Sequence, residues 1–265
     1  MWPHVDHDVE ITGRATERAV QQDGVGRGHR RMLTGPPEGL WYHHAPVTRL
    51  LIACDFDGTV TRRDTLQLIL NHFGDAAAWD RMVEPLRAGR ITVEQAMDEQ
   101  MATVHATREQ VLAHLDEAAH MRDGFPEFVA WTRARGHRLV ITSNGLRTGI
   151  QHLLTRFGVS GLEVHAHDAE FHPSGSRMVW TDRGDRCTEC DRPCKRGLVR
   201  RLAGGDHVVL IGDGISDRCV SGIADTVLAC DYLARHLAEH DRPFIGFQDF
   251  TSVPDQLDAL VRRAA

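Results

Sequence analysis

Three unbroken apolar runs read as strands: LLIA within VTRLLIACD (47–55), LVI within HRLVITSNG (137–145) and VVLI within DHVVLIGDG (206–214). Continuous rather than alternating hydrophobicity predicts strands covered on both faces. Each run ends in small or polar residues, and the second and third lead into helix-like segments, LRTGIQHLLTRFG and ISDRCVSGIAD. Strand followed by helix, repeated, predicts an α/β domain: a Rossmann-like parallel sheet with helices on both faces. In such sheets the polar residues at the carboxyl ends of the strands face one crevice, so Asp55, Ser143 and Asp213 are expected to meet there.

Between the first and second runs the period changes to three and four. TLQLILNHFG, AAAWDRMVEPLRAG, TVEQAMDEQMATVH and TREQVLAHLDEAAH read as helices, with Gly74 and Gly89 as stops and Thr92 and Thr107 as N-caps. This is more helix than one crossover needs, and it predicts a small helical cap inserted after the first strand. GFPEFVAWTRARG then returns the chain to the sheet. The expected organisation is a flexible extension over 1–46, a core over 47–64 and 137–265, and a cap over 65–136. The extension is assigned because QQDGVGRGHRRMLTGPPEGL is rich in Gly, Pro and charge and has no sustained period.

Composition narrows the function more than the fold. The 265 residues are 42% hydrophobic and 26% charged, ordinary for a globular protein. A formal net charge of -6 gives no reason to expect nucleic acid or an anionic membrane as partner. No apolar run approaches the roughly 20 residues of a membrane-spanning helix, and MWPHVDHDVE has no features of a secretory signal. A cytoplasmic location with reduced thiols is expected. Of six cysteines, Cys54, Cys219 and Cys230 are scattered, whereas Cys187, Cys190 and Cys194 fall within eight residues. That spacing suits three thiolates of a Zn²⁺ site, with His165, His167 or His172 as candidate fourth ligand; reduced cysteines packed beside a loop are the plainer alternative.

The sharpest chemistry lies in CDFDGTVT, where Asp55 and Asp57 sit two positions apart behind a buried strand. Like charges so placed are costly unless they are used. An aspartate can attack phosphorus and form an aspartyl-phosphate, dividing one difficult hydrolysis into two easier steps. A hard divalent cation, Mg²⁺, would relieve the repulsion between carboxylate and phosphate dianion, with Asp213 among its ligands. Asp57 can then protonate the leaving alkoxide and later activate water. Gly58 leaves room for a sharp turn after the pair. Ser143 and Asn144 can hydrogen-bond phosphoryl oxygens, Lys195 can offset the remaining charge, and Asp217 can hold metal, water or lysine in place. Asp64 could bind a cationic head group or simply cap the helix that follows it. Arg122 could contact a phosphate or carboxylate, or form a surface ion pair. Trp131 and Trp180 are expected to be packing residues.

DFDGTVT, the strand ending in Ser143, the downstream Lys195 and GDGISD resemble, in order and spacing, the four motifs of the haloacid dehalogenase superfamily. A helical cap between the first two motifs is similar to its phosphoserine-phosphatase-type subclass. RITVEQAMDEQM, MRDGFPEFVAWTRARG, CTECDRPCK and LACDYLARHLAEHDRPFIGFQDF resemble the enol-phosphate phosphatases of methionine salvage. The cysteine–lysine stretch and GDGISDRC also resemble phosphoethanolamine/phosphocholine phosphatases. The resemblance implies Asp55 as nucleophile and Asp57 as general acid/base. It implies Mg²⁺ held by Asp55, the Asp57 backbone carbonyl and Asp213, with Asp217 supporting the metal shell, and Ser143 and Lys195 clasping the phosphoryl group. The dehalogenase branch lacks the second acid, so the implied activity is a Mg²⁺-dependent phosphomonoesterase for a small phosphorylated metabolite. A phosphotransferase or phosphomutase of the same fold, or a non-catalytic zinc-containing binding module, are the alternatives.

Overall fold

The computed structural model describes residues 49–88, 90–181, 187–191 and 194–264. The expected extension over 1–46 and the expected stop at Gly89 lie outside the described residues.

The first run is strand β1 (Leu50–Cys54), fully buried along its length. It is flanked by β2 (Arg138–Leu146) and β5 (His207–Gly212), both parallel to it. Cys54 is level with Ile141 on one side and Ile211 on the other. Residues just past that level, on three adjacent strands, therefore share one edge.

Among the described residues the sheet has seven strands in the order β4-β3-β2-β1-β5-β6-β7, adding β3 (Glu163–Glu170), β4 (Arg177–Val179), β6 (Thr226–Ala229) and β7 (Ile245–Gly246). The β3–β4 pair is antiparallel, and the other strand pairs among the described residues are parallel. Of these, β3 shows no apolar run, EVHAHDAE interleaving charge with small residues, whereas β6 carries the run VLAC over 227–230, which the sequence reading did not pick out. Strands near a sheet edge need less apolar cover than central ones, which is why the two-residue β7 and the polar β3 leave no hydrophobic signal.

Alternate residues of the central strands feed two cores. Leu50, Ile52, Cys54, Ile141 and Ile211 face a core shared with α5 (Phe125–Ala134), α6 (Arg147–Arg156) and α10 (Val253–Ala264). Leu51, Ala53, Val140 and Leu210 face the other core, with Val199 of α7 (Lys195–Ala203), Val220 of α8 (Arg218–Ser221) and Leu233 and Leu237 of α9 (Asp231–Glu239). The helix expected after β5 is shorter than its pattern suggests: a single 3₁₀ turn over Ile215–Asp217 precedes the four-residue α8.

Among the described residues, four helices lie between β1 and α5: α1 (Thr65–Phe73), α2 (Ala77–Arg87), α3 (Val93–Ala102) and α4 (Arg108–Ala118). Thr92 and Thr107 each cap a helix through a reciprocal box with Gln95 and Gln110. Gly74 ends α1, its backbone N–H donating to the Leu70 carbonyl. The segment leaves and re-enters through an antiparallel bridge between Thr61 and Met121. Arg62 N–H donates to the His120 carbonyl, and Arg122 N–H to the Val60 carbonyl, both at 2.8 Å. Ala78, Met82 and Ala96 of α2 and α3 form a small apolar cluster of their own, whereas Leu115 of α4 belongs to the main core. Trp131 and Trp180 both pack partly buried against that core. No helix among the described residues is long and apolar enough to cross a membrane.

Candidate active site

Beyond the carboxyl ends of β2, β1 and β5 the chain collects acids around one ammonium. Asp55 immediately follows β1, and its side chain is almost wholly buried. The Lys195 ammonium, on the first residue of α7, donates to Asp55 Oδ1 at 2.6 Å and to Asp217 Oδ1 at 2.9 Å. Burial alone would lower the lysine pKa, but the Asp217 and Asp55 carboxylates outweigh it and hold it above its usual value. Asp217 is fully buried and also accepts from the Gly214 N–H at 3.2 Å. Burial raises its pKa to about 6, and Lys195 limits the rise.

Asp213 completes the group. A carboxylate oxygen from each of Asp55, Asp213 and Asp217 lies within 4.8 Å of the others. Burial, then the Asp55 and Asp217 charges, pushes Asp213 well above the usual carboxylate range. Three carboxylates against one ammonium leave two negative charges uncompensated. A hard dication with oxygen ligands fits that donor set. The chain itself answers part of the repulsion: Thr59 Oγ1 donates to Asp213 Oδ1 at 2.9 Å.

Asp57 is held separately. Its Oδ1 accepts from the Thr65 N–H at 3.0 Å and from the Thr65 hydroxyl, and its Oδ2 accepts from Ser143 Oγ at 3.0 Å. Ser143 is in turn fixed by the Gly145 N–H at 2.8 Å. Asp57 is therefore aimed from two sides: by the first residue of α1 and by the end of β2.

Two glycines make this crowding possible. A Cβ on Gly145 would meet Asp57 Oδ2 at 2.1 Å, and one on Gly58 would meet Asp213 Oδ2 at 2.3 Å. Gly58 also sits at φ +81°, where a side chain is strained. Gly58 is legible as a turn in the sequence, but the reason for a glycine at 145 is not, because the atom it avoids is far away along the chain.

The structure thus gathers Asp55, Asp57, Ser143, Lys195, Asp213 and Asp217, with Asn144 partly exposed at the end of β2. Thr59, Thr65 and Gly145 join them and are not evident from sequence reasoning. Thr59 and Thr65 look like ordinary turn and helix-start residues.

Of the two roles expected for Asp64 and for Arg122, the structure shows the plainer one. Asp64 caps α1, its carboxylate accepting from the Gln67 N–H at 2.9 Å. It keeps contact with water, although protein crowds it on the crevice side. That crowding, then the Asp57 charge, raises its pKa to about 7, and the exposure tempers the rise. Arg122 is not aimed at the carboxylate group. Its guanidinium donates to the carbonyls of Gln248 at 2.6 Å and Gly58 at 2.9 Å, and pairs with Asp231 at 3.2 Å. Three acceptors in fixed directions suit the planar fork of arginine. Arg122 braces the turn behind Asp57 against the C-terminal region.

The cysteine cluster is corrected in its fourth member. His165 pairs with Glu163, His167 with Thr181, and His172 with Ser174. The side chain that joins Cys187, Cys190 and Cys194 is Cys219.

The chain is similar to known proteins in both sequence and fold. Residues 52–221 match the haloacid dehalogenase-like hydrolase family. The chain is 31% identical over 215 residues to a 2-hydroxy-3-keto-5-methylthiopentenyl-1-phosphate phosphatase of Geobacillus thermodenitrificans, covering 80% of this chain and 97% of that one. It is 28% identical to the protein of the same name from Brevibacillus brevis, covering 77% and 93%. The fold is similar to a substrate-bound phosphoserine phosphatase, with TM-score 0.60 at 16% identity over 78% of this chain and 97% of that one. It is also similar to a probable phosphoserine phosphatase from Vibrio cholerae, with TM-score 0.62 at 18% identity over 84% and 69%.

Proposed function

Since the chain belongs to the haloacid dehalogenase-like hydrolases, we propose that it is a phosphomonoesterase working through an aspartyl-phosphate on Asp55. The observation that carries this reading is the Lys195 ammonium seated between Asp55 and Asp217, beside an Asp57 that is independently aimed by Thr65 and Ser143.

In this reading Lys195 holds Asp55 Oδ1, leaving Oδ2 to attack phosphorus as the ester P–O bond breaks. The leaving alkoxide takes its proton from Asp57. In the second half, water attacks the aspartyl-phosphate, Asp57 takes up the water proton, and Asp55 is released with inorganic phosphate. Ser143, the backbone N–H groups near Asn144, and Lys195 bind the phosphoryl oxygens. Asp55, Asp213 and the Asp57 backbone carbonyl would hold Mg²⁺, supported by Asp217. When bound there, Mg²⁺ would screen the charge between carboxylate and phosphate dianion and would polarise the phosphoryl group.

The helices between the Thr61–Met121 bridge form the lid in this reading, excluding water and selecting a small substrate. The substrate we favour is the enol phosphate named for the Geobacillus and Brevibacillus relatives. A cytoplasmic location accords with the lack of any disulfide among the described residues.

Two measurements test the proposal. Asp55→Asn should lower Mg²⁺-dependent hydrolysis of p-nitrophenyl phosphate by at least about a thousandfold; turnover within tenfold of wild type would sink the nucleophile assignment. A panel of the methylthiopentenyl enol phosphate, phosphoserine, phosphocholine and phosphoethanolamine then orders substrates by kcat/KM. Phosphate appearing on an added alcohol instead of in solution would identify a transferase.

A further inference from the structure

Four cysteines from two separate segments converge beside Lys195, and the chemistry above uses none of them. One sulfur from each of Cys187, Cys190, Cys194 and Cys219 lies within 4.8 Å of the others. In a tetrahedral site with zinc–sulfur bonds of about 2.3 Å the sulfurs stand about 3.8 Å apart, so only slight closure is needed. We propose that these four thiolates bind a structural Zn²⁺ that clamps the loop ahead of α7 to α8.

The backbone is already shaped around the first sulfur. The Glu189 N–H points at Cys187 Sγ at 3.4 Å, and the Asp191 N–H closes the turn onto the Cys187 carbonyl at 2.8 Å. Backbone N–H groups directed at sulfur favour the thiolate, the form a metal requires. Two positive sources offset the net double negative charge of a zinc tetrathiolate. The Arg196 guanidinium, held by Glu189 at 2.7 Å, lies beside Cys187, and the N-terminus of α7 begins at Cys194. An all-sulfur set suits a soft or borderline metal, unlike the all-oxygen group of Asp55, Asp213 and Asp217. Four protein ligands leave no open position, so the site is structural, not catalytic.

Its position gives the clamp a purpose. Cys194 directly precedes Lys195, and Cys219 lies two residues after Asp217. Joining those cysteines fixes the two chain segments whose side chains meet at 2.9 Å beside Asp55. The metal content does not depend on the phosphatase reading.

The test uses the full chain, expressed with zinc supplementation and purified without chelator. Elemental mass spectrometry should find about one zinc per chain in the wild type and in Asp213→Asn, and below about 0.2 in Cys219→Ser and Cys187→Ser. Retention in Asp213→Asn separates this site from the carboxylate group. Should the cysteine variants misfold, titrating the intact wild type with a mercurial thiol reagent should release the zinc. Co²⁺ replacement should give the sulfur-to-metal charge-transfer band of a tetrathiolate. Zinc loss should lower the thermal midpoint by about 5 °C or more. A zinc-free wild type, iron in place of zinc, a disulfide among the four cysteines, or full zinc in both cysteine variants would each overturn the proposal.

Discussion

Replacing Gly145 by alanine perturbs the acid/base apparatus without removing any polar group from it. The added Cβ would stand 2.1 Å from Asp57 Oδ2, whereas ordinary contact begins near 3.4 Å, so something must give by 3.4 − 2.1 = 1.3 Å. The backbone at 145 is not among the left-handed glycines, so alanine carries no conformational penalty there. Asp57 is the movable partner, and shifting it breaks its contact with Ser143 Oγ at 3.0 Å or with Thr65. A displacement of about 1 Å at a reacting group costs on the order of a hundredfold in rate, and full loss of a general acid about 10²–10⁴-fold. The loss should depend on the leaving group. An alkyl phosphate, whose alkoxide needs a proton, should suffer at least about tenfold more in kcat/KM, which reports only the steps up to cleavage of the ester bond, than p-nitrophenyl phosphate, whose phenolate leaves unaided. The assay is steady-state release of inorganic phosphate from both esters with saturating Mg²⁺, with circular dichroism as the folding control. Equal losses for the two esters, or a folded variant within about threefold of wild type on both, would refute Asp57 as the proton donor.

Two further outcomes follow from the same geometry. Asp213→Asn should abolish Mg²⁺-dependent activity while raising the thermal midpoint of the Mg²⁺-free protein at pH 7 by about 2–6 °C, because it removes a carboxylate that burial and two like charges disfavour. The Asp213 pKa is raised on folding, so its ionisation destabilises the folded state at high pH. The variant's advantage should therefore shrink as pH falls toward 3.8; an advantage that grows on acidification would contradict the shift. Arg122→Met removes the brace on Gly58, Gln248 and Asp231. It should lower the midpoint by about 3–6 °C and leave the KM for p-nitrophenyl phosphate within about threefold; a KM raised tenfold or more in a folded variant would return Arg122 to the substrate.

The residue pattern alone specifies the central sheet and most of the residues that gather at its carboxyl edge. β1, β2 and β5 are buried on both faces, so their apolar runs are unbroken and their ends are legible. Capping at Thr92 and Thr107 depends on residues three positions away, and local rules suffice for it. Asp55, Asp57, Ser143, Lys195, Asp213 and Asp217 can be proposed because each lies at a strand end or helix start of a characteristic kind. The tertiary structure decided the rest. It made Arg122 a brace, brought Thr59 to Asp213 and Thr65 to Asp57, and required a glycine at 145. It also supplied Cys219 where a histidine was expected. Cys219 lies 25 residues beyond Cys194 and has no periodic signal of its own. Its role arises only because β5 lies next to β1, which brings the turn after Asp213 up against the start of α7. Contacts between segments distant along the chain are set by strand order and register, and no local pattern encodes them.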